Sequence, residues 1–201
     1  MAYVLGFFCA DGNMTKNKRG ACFIEFQITD GDLLKKIKTT LGSGHKIAVR
    51  ERGDKFKTAY RLQIGSKTIF NDLLKLGLTP NKSKIIAFPI VPVRWMPDFV
   101  RGYFDGDGNV TISKYNRKNR KNHQSRTMLA GFTSGSEKFL VGLRKCLQKY
   151  ASLGKGTLYF SSRGYRLYYS VNDAKKLYSF MYGKLKNDLF LIRKKRIFEL
   201  Y

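Results

Sequence analysis

Asp11 and Asp107 are the residues around which chemistry could be organised, because each closes the same short phrase. Tyr3-Val-Leu-Gly-Phe-Phe-Cys-Ala-Asp-Gly-Asn13 returns as Phe99-Val-Arg-Gly-Tyr-Phe-Asp-Gly-Asp-Gly-Asn109, and internal repetition marks a chain built from two similar units. A single Asp-Gly is ordinary turn chemistry, whereas the same pair at equivalent points of a repeat asks for a shared purpose. Each phrase reads as a short helix, over 3–10 and 98–106, ended by a glycine, Gly12 or Gly108, suited to the left-handed cap position. The helices carry small residues four apart, Gly6 and Ala10 in one, Gly102 and Gly106 in the other. Residues four apart share a face, and without large side chains that face lets two helices approach closer than the usual separation of about 8–10 Å. Packed so, Asp11 and Asp107 meet at the negative ends of both helix dipoles, which costs energy unless cations share the site. Two hard divalent cations, held by carboxylate and carbonyl oxygens, would relieve that repulsion, and such a pair suits displacement at a phosphodiester.

The elements that must position these acids follow from apolar periodicity. Residues 21–28 alternate, with Cys22, Ile24, Phe26 and Ile28 on one face and Phe23, Glu25 and Gln27 on the other, the pattern of a half-buried strand. The period then turns helical over 32–41, with Asp30 as N-cap, a stripe of Leu33, Leu34, Ile37 and Leu41, and Gly42 as terminator. Residues 46–52 and 57–64 alternate again, hiding Ile47, Val49, Tyr60, Leu62 and Ile64. The repeat continues in order, Leu41-Gly-Ser-Gly44 with Leu153-Gly-Lys-Gly156 and Tyr60-Arg-Leu62 with Tyr165-Arg-Leu167. Between the units, Pro89, Pro92 and Pro97 break helix and central strand alike. We therefore expect an α+β protein with an N-terminal half over 1–88, a linker over 89–97 and a C-terminal half over 98–201.

The 201 residues carry 39 Lys and Arg against 14 Asp and Glu, a formal charge of +25. A compact fold tolerates that self-repulsion only if a polyanion uses it. Nucleic acid is favoured over a membrane surface, because no apolar run approaches about 18 residues and the basic residues are spread along the chain. Many of them alternate with the buried strand positions: Lys46, Arg50, Arg52, Lys57 and Arg61, with Gln63, in the first half, and Arg166 with Tyr168 on a strand from about 164 to 170. A basic loop between two further strands adds Lys114, Arg117, Lys118, Arg120, Lys121 and Arg126, placed to follow a phosphate backbone. Cys9, Cys22 and Cys146 are too few and too far apart for a disulfide framework or a zinc site. His45 and His123 lie in different contexts in the two halves, which argues against a catalytic base. The opening residues lack the basic start of a secretory signal, so an intracellular setting, in the cytoplasm or a genome-bearing organelle, is expected.

Val4-Leu-Gly-Phe-Phe-Cys-Ala-Asp-Gly12 and Val100-Arg-Gly-Tyr-Phe-Asp-Gly-Asp-Gly108 resemble the two motifs of the LAGLIDADG homing endonucleases in their single-chain form, and the likeness spans nearly the whole sequence. The resemblance implies two pseudo-symmetric αββαββα halves packed through the motif helices, their antiparallel sheets forming a saddle in the DNA major groove. It implies a monomer that makes a double-strand cut across the minor groove of a long target and leaves 3′ overhangs, with water as nucleophile. Magnesium would be the cofactor, manganese a substitute, and calcium would support binding without cleavage. Asp11 and Asp107 would be the catalytic metal ligands, with the carbonyls of Ala10 and Gly106 as further ligands. Gln27 and Lys82 look like the family's supporting glutamine and lysine. In the second half Thr133 or a neighbour stands where a glutamine is expected, and Arg193 or Lys194 stands for the lysine, with Lys194 the expected catalytic counterpart; unequal rates of cutting the two strands are expected. Cys9 replaces a frequent aspartate of the motif, which Asp105 supplies in the second. Double-stranded DNA is the expected partner, with Arg50, Arg52, Arg61, Gln63 and Arg166 as base readers. The alternative is an RNA maturase or an inactive binding protein of the same fold, with intron RNA as its partner. No splicing domain flanks the repeat, so a freestanding protein encoded within an intron or as an independent reading frame is expected.

Overall fold

The computed structural model describes residues 1–51, 53, 57–116 and 124–201. Helix α1 (Ala2–Asp11) runs directly into β1 (Gly12–Lys16) and β2 (Cys22–Ile28), followed by α2 (Gly31–Thr40), β3 (Ile47–Arg50), β4 (Ala59–Gly65) and α3 (Lys67–Lys75). The second half repeats the order with α4 (Met96–Asp107), β5 (Gly108–Asn116), β6 (Gln124–Ser134), α5 (Glu137–Ala151), β7 (Thr157–Ser161), β8 (Gly164–Ser170) and α6 (Val171–Tyr182), and then adds α7 (Ile192–Glu199). Each half holds one antiparallel sheet, ordered β1-β2-β4-β3 and β5-β6-β8-β7. These are the two α+β halves that the periodicity and the repeat anticipate.

Alternation places Met14, Ile24, Phe26, Leu62 and Ile64 under α1 and α2, and Val110, Met128, Ala130, Phe132, Leu167 and Tyr169 under the second set of helices. The helices begin where side chains can accept a free backbone N–H. Asp30 accepts from Leu33 N at 3.0 Å, Ser66 from Ile69 N at 3.2 Å and Ser136 from Phe139 N at 3.4 Å. Gly42, at φ +60°, closes α2 as expected.

Three expectations are corrected. Gly12 and Gly108 do not cap their helices in the left-handed conformation; their φ,ψ of −75°, 148° and −91°, 158° carry the chain straight into a strand. Glycine is needed there for room, since a Cβ would stand 2.2 Å from the Phe8 ring at Gly12 and 2.3 Å from the Phe104 ring at Gly108. Val49 keeps the core-side parity but is 60% exposed, because β3 is an edge strand and Val49 lies at its outer end. The linker's last residues, Met96 and Pro97, already belong to α4, where proline is compatible with the first turn. Among the described residues no helix is long and apolar enough to cross a membrane.

The halves are braced beyond their central helices. The Phe88 ring packs 5.3 Å from Phe99 and 5.5 Å from Phe139. Ser136 Oγ donates to the Ile86 carbonyl at 2.7 Å, and Lys36 pairs with Asp188 at 2.8 Å.

Candidate active site

The site begins with the absence of side chains. A Cβ on Gly6 would lie 2.0 Å from the Phe99 carbonyl oxygen, and one on Gly102 would lie 2.0 Å from that of Tyr3. Backbone therefore touches backbone where α1 crosses α4, as the small-residue spacing anticipates. Further along, a Cβ on Gly106 would sit 2.4 Å from the Ala10 Cβ and 3.3 Å from Asp11 Oδ2. The last residues of both helices, Asp11 and Asp107, are thus brought together at the molecular pseudo-axis.

Their electrostatics record the crowding. Burial and then the neighbouring Asp11 push the Asp107 carboxyl up to about 6. Asp11 is also raised, first by the protein around it, although its tip reaches solvent; Lys194 and Lys82 oppose the rise at both acids. Those two lysines are themselves buried. Lys82 Nζ donates to the Gly12 carbonyl at 2.6 Å, and Lys194 Nζ donates to the Gly108 carbonyl at 2.6 Å. The equivalence of the two contacts selects Lys194 over the exposed Arg193 as the partner of Lys82. Lys194 also reaches the carbonyls of Phe104 and Asp105 at 2.8 Å and of Gly106 at 3.3 Å, gathering the last turn of α4 around one ammonium. A cation at this end complements the helix dipole. Burial pulls the Lys194 ammonium down to about 8 and lowers Lys82 in the same direction.

The residue two positions before each closing aspartate differs between halves. Asp105 Oδ2 accepts from Tyr3 Oη at 2.7 Å and from Leu191 N at 2.9 Å, tying α1 and the C-terminal segment to α4. Burial pushes its carboxyl up to about 6. Cys9, its counterpart, is a buried thiol pushed up to about 12 by the same cause, which makes it a packing residue.

Strand register supplies a test of the supporting residues. Gly12 pairs with Phe26 and Gly108 with Phe132, while Gln27 pairs with Arg61 and Thr133 with Arg166. Thr133 therefore occupies the position of Gln27, on the outward sheet face beside the site. Tyr103 Oη fixes this strand end by donating to the Thr133 carbonyl at 2.8 Å.

The outward face of the first sheet carries Arg61 and Gln63 beside Glu25, which receives an ion pair from Arg61 and a 3.5 Å contact from Gln63 Nε2. Lys46, Arg50 and Lys57 are exposed at its edge. On the second sheet Arg166 and Tyr168 are half-buried, and the Tyr168 ring stacks on Tyr159 at 6.2 Å. Lys114 and Arg126 are brought elsewhere. They pair with each other and share the parity of Val110 and Met128, so they face the helix-covered side, where Arg126 donates to the Leu200 carbonyl at 2.5 Å. The hairpin there outruns the helices above it, and its core-side positions become solvated and basic. Arg52, Arg117, Lys118, Arg120 and Lys121 lie outside the described residues.

Sequence reasoning missed Arg101, which is 1% exposed and donates to the carbonyls of Met181 at 2.8 Å and Leu189 at 3.0 Å while pairing with Asp98. The signal was a mismatch in the repeat, since Leu5 holds the same place in the first motif. It missed Tyr3 for the same reason, Phe99 being its counterpart.

Among the described residues no group of three or more His, Cys, Asp or Glu side chains is placed to hold one ion. The donor set at the crossing is two carboxylates and nearby carbonyls, all hard oxygens, which fits cations whose shells are completed by water or phosphate oxygens. The Gly106 carbonyl is partly engaged by Lys194.

Two repeated α+β halves, joined at a helix crossing that brings one carboxylate from each to the axis, define a two-motif protein of the meganuclease fold. The model of the LAGLIDADG-like domain matches residues 1–76 and again 95–181, and the chain belongs to this family. Solved structures agree on the fold. The meganuclease I-AabMI bound to uncleaved DNA superposes with a TM-score of 0.65, over 98% of this chain and 87% of that one, at 15% identity. The I-LtrWI homing endonuclease bound to target DNA gives 0.62 over 99% and 88%, at 13% identity. Among curated proteins, the DNA-directed RNA polymerase subunit Rpo1C of Methanocaldococcus jannaschii is 28% identical over 114 residues, 56% of this chain. An uncharacterized protein of the same archaeon is 25% identical over 118 residues, 57% of this chain. The matched segments span 13% and 40% of those two relatives.

Proposed function

We propose that this protein is a site-specific DNA endonuclease that cuts both strands of a long duplex target with magnesium ions held between Asp11 and Asp107, leaving 3′ overhangs. The observation that carries the reading is the meeting of these two acids at a backbone-tight helix crossing. A structural role gains nothing from two carboxylates held together against desolvation and mutual repulsion. The fold neighbours bound to DNA support a DNA partner for this chain, and two motif helices within one chain let it act as a monomer.

In this reading the residues divide the work. Asp11 and Asp107 supply the charged oxygens for the cations, with the Ala10 and Gly106 carbonyls beside them. The chemistry that divalent cations supply when bound is neutralisation of the charge that builds on a phosphodiester during displacement. Lys82 and Lys194 fix the helix ends by their carbonyl contacts, so that the carboxylates keep one orientation, and their ammonium charges face a phosphate brought to the axis. Gln27 and Thr133 face the same space from the two sheets. Lys46, Arg50, Lys57, Arg61, Gln63, Arg166 and Tyr168 meet the duplex, the cations contributing salt-dependent affinity and the polar side chains base contacts.

The experiment is a comparison of wild type with Asp11→Asn and Asp107→Asn. Both variants lose magnesium-dependent cleavage and retain duplex binding in calcium at unchanged salt. Retained cleavage in either variant, or tighter binding of intron RNA than of duplex DNA by the wild type, would overturn the reading.

A further inference from the structure

A groove of about 370 Å³ opens on the helix-covered side of the first half, between α1 and α3. Phe8, Ile24 and Phe26 line its floor, and Leu76, Ile90 and Trp95 stand at its rim. The rim is open to solvent, with Ile90 93%, Leu76 41% and Trp95 40% exposed. Single exposed apolar side chains are ordinary, but a group converging on an apolar recess marks an interaction surface.

The second half shows what such a seat receives. Phe104 stands at the repeat position of Phe8, and the ring of Phe198 from α7 lies 5.5 Å from it. Leu189 and Leu191, from the segment leading into α7, are buried nearby, and Arg101 holds that segment by the Leu189 carbonyl and the Asn187 side chain. The chain between α6 and Lys194 has residues 183–193 with which to cross the gap, whereas between α3 and Lys82 it has only 76–81. Beyond Lys82 the first half turns away, its Ile86 carbonyl and Phe88 ring engaging the second half. Leu5 replaces Arg101 and lines the groove. The first half keeps the apolar seat and lacks the helix that fills its counterpart.

We propose that this seat takes an amphipathic helix from a protein partner, its apolar stripe inserted as α7 inserts Phe198 and its outer face acidic. Helix-in-groove recognition needs a rigid apolar trough and a few anchors, and α7 does the equivalent work with Ile192–Glu199. An acidic outer face follows from the charge of +25 and from Arg94, which is exposed beside the rim and lies 5.1 Å over the Trp95 ring, while Asp72 in the lining is paired with Lys75. The groove opens away from the outward sheet faces, so the partner and a nucleic acid can be bound together.

The probe is a fluorescent synthetic peptide of residues 187–201 carrying Arg193→Glu, Lys195→Glu and Arg196→Glu, titrated with the full chain. The expected result is saturable binding that weakens roughly tenfold or more in the chain variant Leu76→Asp/Ile90→Asp and with the peptide change Phe198→Ala. Both replaced rim residues are exposed, so the variant keeps the wild-type melting temperature. Absence of saturable binding, or equal affinity for the variant, would overturn the proposal. So would concentration-dependent dimerisation in sedimentation that the variant abolishes, since a second copy would then be the occupant.

Discussion

Asp107 and Asp105 hold their protons more tightly in the folded protein than an unfolded chain would, at about 6 in each case against about 3.9 for a free aspartate. The sign matters for stability. A carboxylate raised on folding costs stability when ionised, so the penalty is fully present above about pH 6 and disappears as pH falls toward about 4. Metal-free Asp107→Asn should therefore melt above the wild type at pH 7.5, with the gap closing by about pH 4.5; thermal scans across that range in chelator check it. A gap independent of pH would show that crowding at the crossing is not electrostatic. Asp105 is a different case, since its oxygen is engaged by two buried donors. Tyr3→Phe removes one of them and should destabilise by about 1–3 kcal/mol, read from denaturant midpoints at constant m-value, without removing the carboxylates that we assign to chemistry.

At the scale of elements, the account rests on how closely α1 and α4 approach. Gly6→Ala or Gly102→Ala puts a methyl 2.0 Å from a carbonyl oxygen of the facing helix, and neither helix can retreat without opening the core beneath it. Each substitution should cost about 3 kcal/mol or more, seen as loss of the cooperative unfolding transition or a steep fall in its midpoint. Much of this arrangement could be read in the sequence. Small residues four apart on two copies of one phrase gave the crossing, and the change of period from two to 3.6 gave the order of strands and helices. What could not be read has physical causes. Gly12 and Gly108 looked like helix caps because a glycine needed for a positive φ and one needed for space are the same residue in sequence; only the Phe8 and Phe104 rings decide between them. Lys194 could not be separated from Arg193 within Arg193-Lys-Lys-Arg196, since orientation depends on where α7 docks. The Asp105 contacts to Tyr3 and Leu191 join residues remote in the chain, and no local pattern announces them. Lys114 and Arg126 read in sequence as part of a basic loop between two strands, yet they lie within the paired strands and their parity turns them toward the helices.

The whole molecule is a polycation with an internal pseudo-twofold axis, and both properties are measurable. If several phosphates are neutralised by the outward sheet faces, affinity for duplex should fall about 10³- to 10⁵-fold between roughly 50 and 200 mM salt, and a flat response would contradict an extended basic interface. The symmetry is imperfect where chemistry is expected, with Thr133 in the second half at the position of Gln27 in the first and Lys82 making a single carbonyl contact where Lys194 makes several. The two strands should consequently be cut at unequal rates, so that nicked circles accumulate transiently when a supercoiled plasmid carrying the target is digested. The central claim is tested most directly by incubating the purified chain with a randomised duplex library in magnesium, beside calcium and Asp107→Asn samples, and sequencing the ends of any cut molecules. The account predicts double-strand cuts with 3′ overhangs at one long sequence, found only with the wild type in magnesium. Cutting that persists in Asp107→Asn, or that shows no sequence preference in the wild type, would contradict it.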